Sequence, residues 1–317
     1  MIVKQLVSDK RDDGRLLMIA QRTASELLES RSYGDSWTSL PLTAIDRGKP
    51  SALNADEVQE LLASPWGWLL RMENGKLWLW RESKQSWKEW KLMLPAAGAT
   101  GGKGRASQPA RQLKPASAIA FSQNDAVVAT NLGLVRCQES GICAHIKVFA
   151  RAAAVRSISV SDTGSEIGVV VDNKLGLSSD TGASAVWADL PLPQDDTLWL
   201  DAADSSPEKN VFLGTNSGIY RFYGAASPWQ RIEGGLPAGQ IAEWLRSPGI
   251  WAVSEQGGGL YVSQNKGASW RRVDRDGERG RFTGLVATPT GTVLAGSQSE
   301  GLLRLEMGQR PVATSGN

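Results

Sequence analysis

Gly259-Leu-Tyr-Val-Ser263 runs directly into Gln264-Asn-Lys-Gly-Ala-Ser-Trp270. The first half is a short apolar run that opens on a glycine. The second is a polar turn that closes on a tryptophan. Six other segments match the first half: Glu26-Leu-Leu-Glu-Ser30, Lys76-Leu-Trp-Leu-Trp80, Gly133-Leu-Val-Arg-Cys137, Lys174-Leu-Gly-Leu-Ser178, Gly218-Ile-Tyr-Arg-Phe222 and Gly301-Leu-Leu-Arg-Leu305. In chain order the last residues of the seven copies lie 50, 57, 41, 44, 41 and 42 apart. A period in the forties, built from short strands, predicts a β-propeller with one blade per repeat. Spread over seven repeats, 317 residues give about 45 each, enough for four strands and their turns.

Working outward, the repeat predicts an all-β fold: a single seven-bladed propeller of four-stranded antiparallel blades. The approximate blades are 1–45, 52–94, 116–150, 155–191, 197–235, 239–275 and 281–315. Blade 3 takes Ala118–Ser122 as its inner strand, then Ala126–Asn131, Gly133–Cys137 and His145–Phe149 outermost. Blade 6 follows with Ile241–Arg246, Ile250–Ser254, Gly259–Ser263 and Trp270–Val273, and blade 1 with Ile2–Ser8, Leu16–Gln21, Glu26–Ser30 and Trp37–Leu40. Each is a short apolar run bounded by turn-forming residues. The stretch Asn54–Ala63 has an N-cap residue and good helix formers, but its place in the repeat makes it the inner strand of blade 2. Blade 7 has Phe282–Ala287, Thr292–Ser297 and Gly301–Leu305. Its outer strand comes from the tail around Pro311–Ser315 or is missing, so the closure of the ring is not evident.

The turn after the third strand has its own signature. Ser263-Gln-Asn-Lys-Gly-Ala-Ser-Trp270 is matched by Ser30-Arg-Ser-Tyr-Gly-Asp-Ser-Trp37 and Ser178-Ser-Asp-Thr-Gly-Ala-Ser-Ala185, the last with its tryptophan displaced to Trp187. Blades 2, 3 and 5 carry eroded versions ending at Trp87, Ala144 and Trp229. These turns resemble the Asp-box, or BNR repeat, with the pattern Ser-x-Asp-x-Gly-x-Ser/Thr-Trp. Physically, a short Asx side chain bonds nearby backbone and holds the turn, the glycine permits positive φ, and the tryptophan packs between strands. Ser30, Gly34, Trp37, Ser178, Asp180, Gly182, Ser263, Asn265, Gly267 and Trp270 are therefore expected to be scaffold rather than site.

Families that share the Asp-box include sialidases, some β-glucanases, sortilin-type receptors and the photosystem II stability and assembly factors. The enzyme members need residues that can be sought here. No Arg-Ile-Pro segment of the sialidase type occurs. Of the four tyrosines, Tyr220 and Tyr261 occupy matching third-strand positions that look like packing sites. A glycosidase needs two carboxylates flanking a bond, and Asp201, Asp204 and Glu243 are the best candidates. The single ring with degenerate boxes is most similar to the assembly-factor and sortilin-like propellers. That resemblance implies a non-catalytic protein-interaction scaffold or assembly factor, binding a partner protein or complex through a face of the ring. The alternative is a glycan-binding or glycan-cleaving propeller.

Bulk properties narrow the partner. With 35 basic and 33 acidic residues the net charge is +2, which is no footprint for nucleic acid. No apolar run is long enough for a membrane span. No cofactor motif is present, and one histidine with two cysteines makes no metal site. The segment 95–115 reads as a flexible basic insert, with Lys103, Arg105, Arg111 and Lys114 as contacts for an acidic partner. Trp66, Trp68, Trp87 and Trp90 crowd blade 2. Packing between blades accounts for such a cluster, and an exposed contact patch is the other reading. Cys137 and Cys143 flank a hairpin turn where a disulfide is geometrically reasonable; two reduced core thiols are the alternative. The start of the chain lacks a signal-peptide pattern. That points to the cytoplasm as the sequence is written, or to a periplasmic or secreted location for a mature domain.

Overall fold

The apolar runs that recur along the chain become strands buried on both faces. In the computed structural model, which describes residues 1–9, 14–46, 49–95, 110–149, 155–192, 197–202, 211–223, 229–274, 281–306 and 312–313, the second strands Ala126–Thr130, Val211–Thr215 and Val293–Ser297 are buried at every position. Burial without alternation means that each sheet is packed on both sides. Seven four-stranded antiparallel sheets stand in a ring, with no α-helix among the described residues. From the axis outward, the inner strands are Ile2–Ser8, Val58–Ser64, Pro115–Phe121, Val155–Val160, Thr197–Asp201, Ile241–Ser247 and Phe282–Ala287. Outer strands are short, from two residues to four.

Alternation along each strand sends neighbouring side chains to opposite blades. Leu17 and Ile19 face blade 2, whereas Leu16, Met18 and Ala20 face blade 7. The same rule places Trp78, Trp80 and Trp87 at the junction with blade 1 and Trp90 at the junction with blade 3. The buried apolar residues divide into seven clusters, one at each junction between blades.

The inner strands leave one edge unpaired, and buried backbone groups need partners. Side chains from the neighbouring blade supply them. Gln5 donates through its amide nitrogen to Gln59 O (2.8 Å) and accepts from Leu61 N (2.6 Å). Ser159 Oγ accepts from Ala202 N at 3.0 Å, Trp199 Nε1 donates to Ile241 O at 3.3 Å, and Thr283 Oγ1 donates to Val3 O at 2.7 Å. Gln5, Trp199 and Thr283 lie at the register shift that occurs early in each inner strand.

The ring closes without exchanging a strand. Blade 1 is built wholly from the N-terminal end of the chain, and Val312–Ala313 completes blade 7 by pairing with Leu303 and Arg304. The two blades meet through Val3, Leu6, Val286, Leu294 and Leu302. Arg304 adds a hydrogen bond to Tyr33 O (3.1 Å) and an ion pair with Asp35.

Two local expectations change, and a third, the inner strand of blade 2, holds with a later start. Asn54 does cap a turn, accepting from Asp56 N at 3.0 Å, but the turn is a single 3-10 segment, Ala55–Glu57, and the strand starts at Val58. Tertiary pairing with Gly67–Met72 overrides helix propensity there. The outer strand of blade 3 is Cys143–His145 rather than His145–Phe149, because Cys137 pairs directly with Cys143; Lys147–Phe149 forms a 3-10 turn. Blade 2 is also wider than the repeat predicts. Thr43–Asp46 adds in parallel to its outer strand, Ala44 beside Trp87, and Lys49–Ala52 pairs with that addition.

Candidate binding surfaces

The turns after the third strands are self-contained hydrogen-bond units. Ser30, Ser178 and Ser263 each accept at Oγ from the backbone N of Gly34, Gly182 and Gly267, at 2.9 Å in all three. Asp180 accepts from Ala183 N, Ser184 N and the Ser184 hydroxyl (3.1, 2.9 and 2.5 Å), and Asn265 accepts from Ser269 N at 2.8 Å. The Ser184 hydroxyl and backbone N–H hold the Asp180 carboxyl down at about 2. Both central residues of each turn are left-handed, as in Lys266 (φ 54) and Gly267 (φ 84). Gly182 also has to be a glycine for space, since a Cβ there would lie 2.1 Å from Ile146. These side chains spend their polar atoms on the turn itself.

Trp68, Trp87 and Trp90 are core, which corrects their reading as a contact patch. Trp68 and Trp87 are fully buried and Trp90 is nearly so. Trp66 is half-buried, packed on Trp90 (5.4 Å between ring centroids) and Phe121 (6.1 Å). Their polar ends are engaged too: Trp68 Nε1 donates to Glu29 at 2.8 Å and Trp87 Nε1 to Pro41 O at 3.0 Å.

Cys137 and Cys143 are joined by a disulfide across the hairpin, with Cα atoms 4.1 Å apart. The bridged loop braces the start of the linker to blade 3: Met93 N donates to Gly141 O at 2.8 Å, and Trp90 Nε1 to Gln138 O at 3.3 Å. Lys103 and Arg105 lie outside the described residues. Of the basic insert, Arg111–Gln112 pairs with Met93–Leu94 and Leu113 is buried, whereas Arg111 and Lys114 are exposed. Lys114 lines a groove of about 310 Å³ with Lys76, Lys91 and Glu89. This groove sits where the inner strand of blade 3 begins.

The opposite end of the ring, where the inner strands finish, carries a larger opening. A funnel of about 800 Å³ is bounded by Asp9, by the last inner-strand residues of blades 2 to 6 and by their exits, among them Gln123, Asn124 and Asp162. Asp201 lies in its wall. Its carboxylate accepts from Trp244 Nε1 (2.9 Å) and pairs with Arg246 through Nε (2.9 Å) and Nη2 (3.1 Å). Trp244 stacks on Trp199 at 5.1 Å with an interplanar angle of 11°. Gln123, Asn124 and Asp162 are exposed. Asp204 lies outside the described residues. Glu243 sits near the start of its inner strand, where burial pushes its carboxyl up to about 7. Trp244 and Arg246 carry no motif. Their signal is position alone, because the aligned repeats mark the end of every inner strand as funnel wall.

No family model and no curated protein matches the chain by sequence. Solved structures match by shape. A structure of YCF48 bound to a D1 peptide superposes with a TM-score of 0.62 at 16% identity, over 96% of this chain and 93% of that one. YCF48 from Cyanidioschyzon merolae gives 0.61 at 11% identity, over 96% and 94%. A streptogramin B lyase gives 0.62 at 12% identity, over 96% and 93%. A binding protein and a lyase share this shape, so the likeness establishes the architecture, a seven-bladed β-propeller, and leaves the activity to the site itself.

Proposed function

We propose that this chain is a non-catalytic interaction scaffold, an assembly-factor type of Asp-box propeller, and that it holds a partner protein or complex at the mouth of its funnel. The observation that carries this reading is the funnel: an opening of about 800 Å³, with exposed amide and carboxylate side chains on its rim and an aromatic wall. Such a surface suits an extended polypeptide, which offers backbone and side-chain groups to both. The YCF48 structure with a D1 peptide is consistent with a peptide partner here. Asp201 supports binding over hydrolysis, because Arg246 and Trp244 already occupy its carboxylate. The disulfide supports an oxidising compartment.

The test is recovery of partners from the native source on three baits: the wild-type chain, Asn124→Lys/Asp162→Lys, and a chain lacking residues 96–109. Loss of the principal partner with the rim variant and its retention with the deletion are expected. Equal recovery on all three overturns the funnel assignment. A glycan hydrolysis screen runs alongside, and turnover abolished by Asp201→Asn would replace the scaffold reading with the enzymatic one.

A further inference from the structure

The described end of the basic segment lies at the narrow end of the ring, where the fold sets it beside two lysines of blade 2. Lys114 lines the groove of about 310 Å³ together with Lys76 and Lys91, over a floor of buried Leu77, Leu92 and Leu113. All three lysines are exposed. Each stands on a backbone that is held in place. Lys76 N donates to Asn74 Oδ1 at 3.0 Å, and Lys76 O accepts from Met72 N at 2.9 Å. Lys114 N donates to Asn131 Oδ1 at 3.2 Å, and Lys114 O accepts from Asn131 N at 3.3 Å. Lys91 lies between Trp90, whose N donates to Leu77 O at 2.8 Å, and Leu92, whose O accepts from Leu113 N at 2.8 Å.

The groove presents cations. Glu89 is the one acid in its lining, and it is recessed: its side chain is 17% exposed against 47% for Lys91, with which it pairs at 3.3 Å. Among the described residues neither Lys76 nor Lys114 pairs with an acid. Like charges gathered on neighbouring elements repel, and the fold does not call for them, because the turn and the strand start beside them are fastened by backbone groups and asparagine side chains. A cationic mouth over an apolar floor complements a chain that carries acidic and apolar side chains together. The type of cation narrows the ligand further. A lysine ammonium is a point charge that meets a carboxylate from many directions, and the lining has no arginine fork to grip a phosphate bidentately.

We propose that this groove binds an extended acidic segment of a partner protein, with aspartate or glutamate side chains meeting Lys76, Lys91 and Lys114. The groove and the funnel lie at opposite ends of the ring, so failure here would leave the funnel assignment standing.

A labelled, unstructured peptide of glutamate, serine and leucine, titrated into the whole protein and followed by fluorescence anisotropy, tests this. Binding that weakens with added salt is expected, as is about tenfold weaker binding to Lys76→Gln/Lys114→Gln. Lys84→Gln/Lys88→Gln removes the same charge from exposed positions outside the groove and should bind as the wild type does. The peptide should also slow hydrogen exchange at Asn74–Lys76 and Gln112–Lys114. The proposal is overturned if the peptide does not bind, if the two variants weaken binding equally, or if protection falls at Gln123–Asn124 instead. A single-stranded oligonucleotide of equal charge and inorganic phosphate serve as competitors. Tighter binding of either at the same lysines would assign the groove to nucleic acid or to free phosphate and equally overturn it.

Discussion

Glu243 occupies the position in blade 6 that Gln5 holds in blade 1 and Trp199 in blade 5, next to the inner-strand irregularity. Gln5 and Trp199 bond the next blade, whereas Glu243 is a carboxyl in a poorly solvated place. Burial raises it from 4.5 to about 7, so between those values the folded protein holds a proton that the unfolded chain has released. Stability then falls as pH rises through that window. Glu243→Gln is expected to match the wild type near pH 4 and to exceed it above pH 7, by up to about 3 kcal/mol, in urea unfolding. A constant difference at all pH would refute the assignment. Asp201→Asn removes the carboxylate that pairs with a guanidinium only 15% exposed and should cost about 1–3 kcal/mol by the same measurement. Trp270→Ala removes a ring that is 8% exposed and should cost about 3–5 kcal/mol, while leaving partner recovery per folded molecule unchanged.

At the scale of elements, the repeat foretold the strands best where burial is symmetrical. Leu16–Gln21 and Gly133–Cys137 fall where their apolar runs predict, because a strand packed on both faces needs an unbroken run. Elements set by long-range pairing were hidden. The outer strand at Cys143–His145 follows from the Cys137–Cys143 register, and the hairpin at 43–52 follows from a parallel contact with Trp87. The tryptophans show the same divide: the sequence shows them crowding blade 2, but only the packed neighbours show that Trp68, Trp87 and Trp90 have no surface to offer. The disulfide closes a short loop, so Cys137→Ala/Cys143→Ala should cost about 2 kcal/mol. Because Gly141 O holds the Met93 amide, that amide should exchange faster in the variant. Unchanged exchange there would show that the bridge does not brace the linker.

For the whole molecule, the ring gives its two ends different chemistry. Where the inner strands begin, Lys76, Lys91 and Lys114 line a small groove; where they finish, an open funnel carries the Asp201–Arg246 pair and an exposed rim. Gln112–Lys114, the described end of the segment that breaks the repeat, thus line the groove, while the funnel wall comes from regular positions that no motif marks. This is why the architecture was legible in the sequence and the candidate site only in part: a funnel is made by strand ends meeting at an axis, each unremarkable in its own repeat. The most direct test is hydrogen exchange of the chain with and without the partner recovered from its native source. Protection concentrated at Gln123–Asn124, Asp162 and Trp244–Arg246 is predicted. Protection at Asn74–Lys76 and Lys114, with the funnel rim unchanged, would contradict the account.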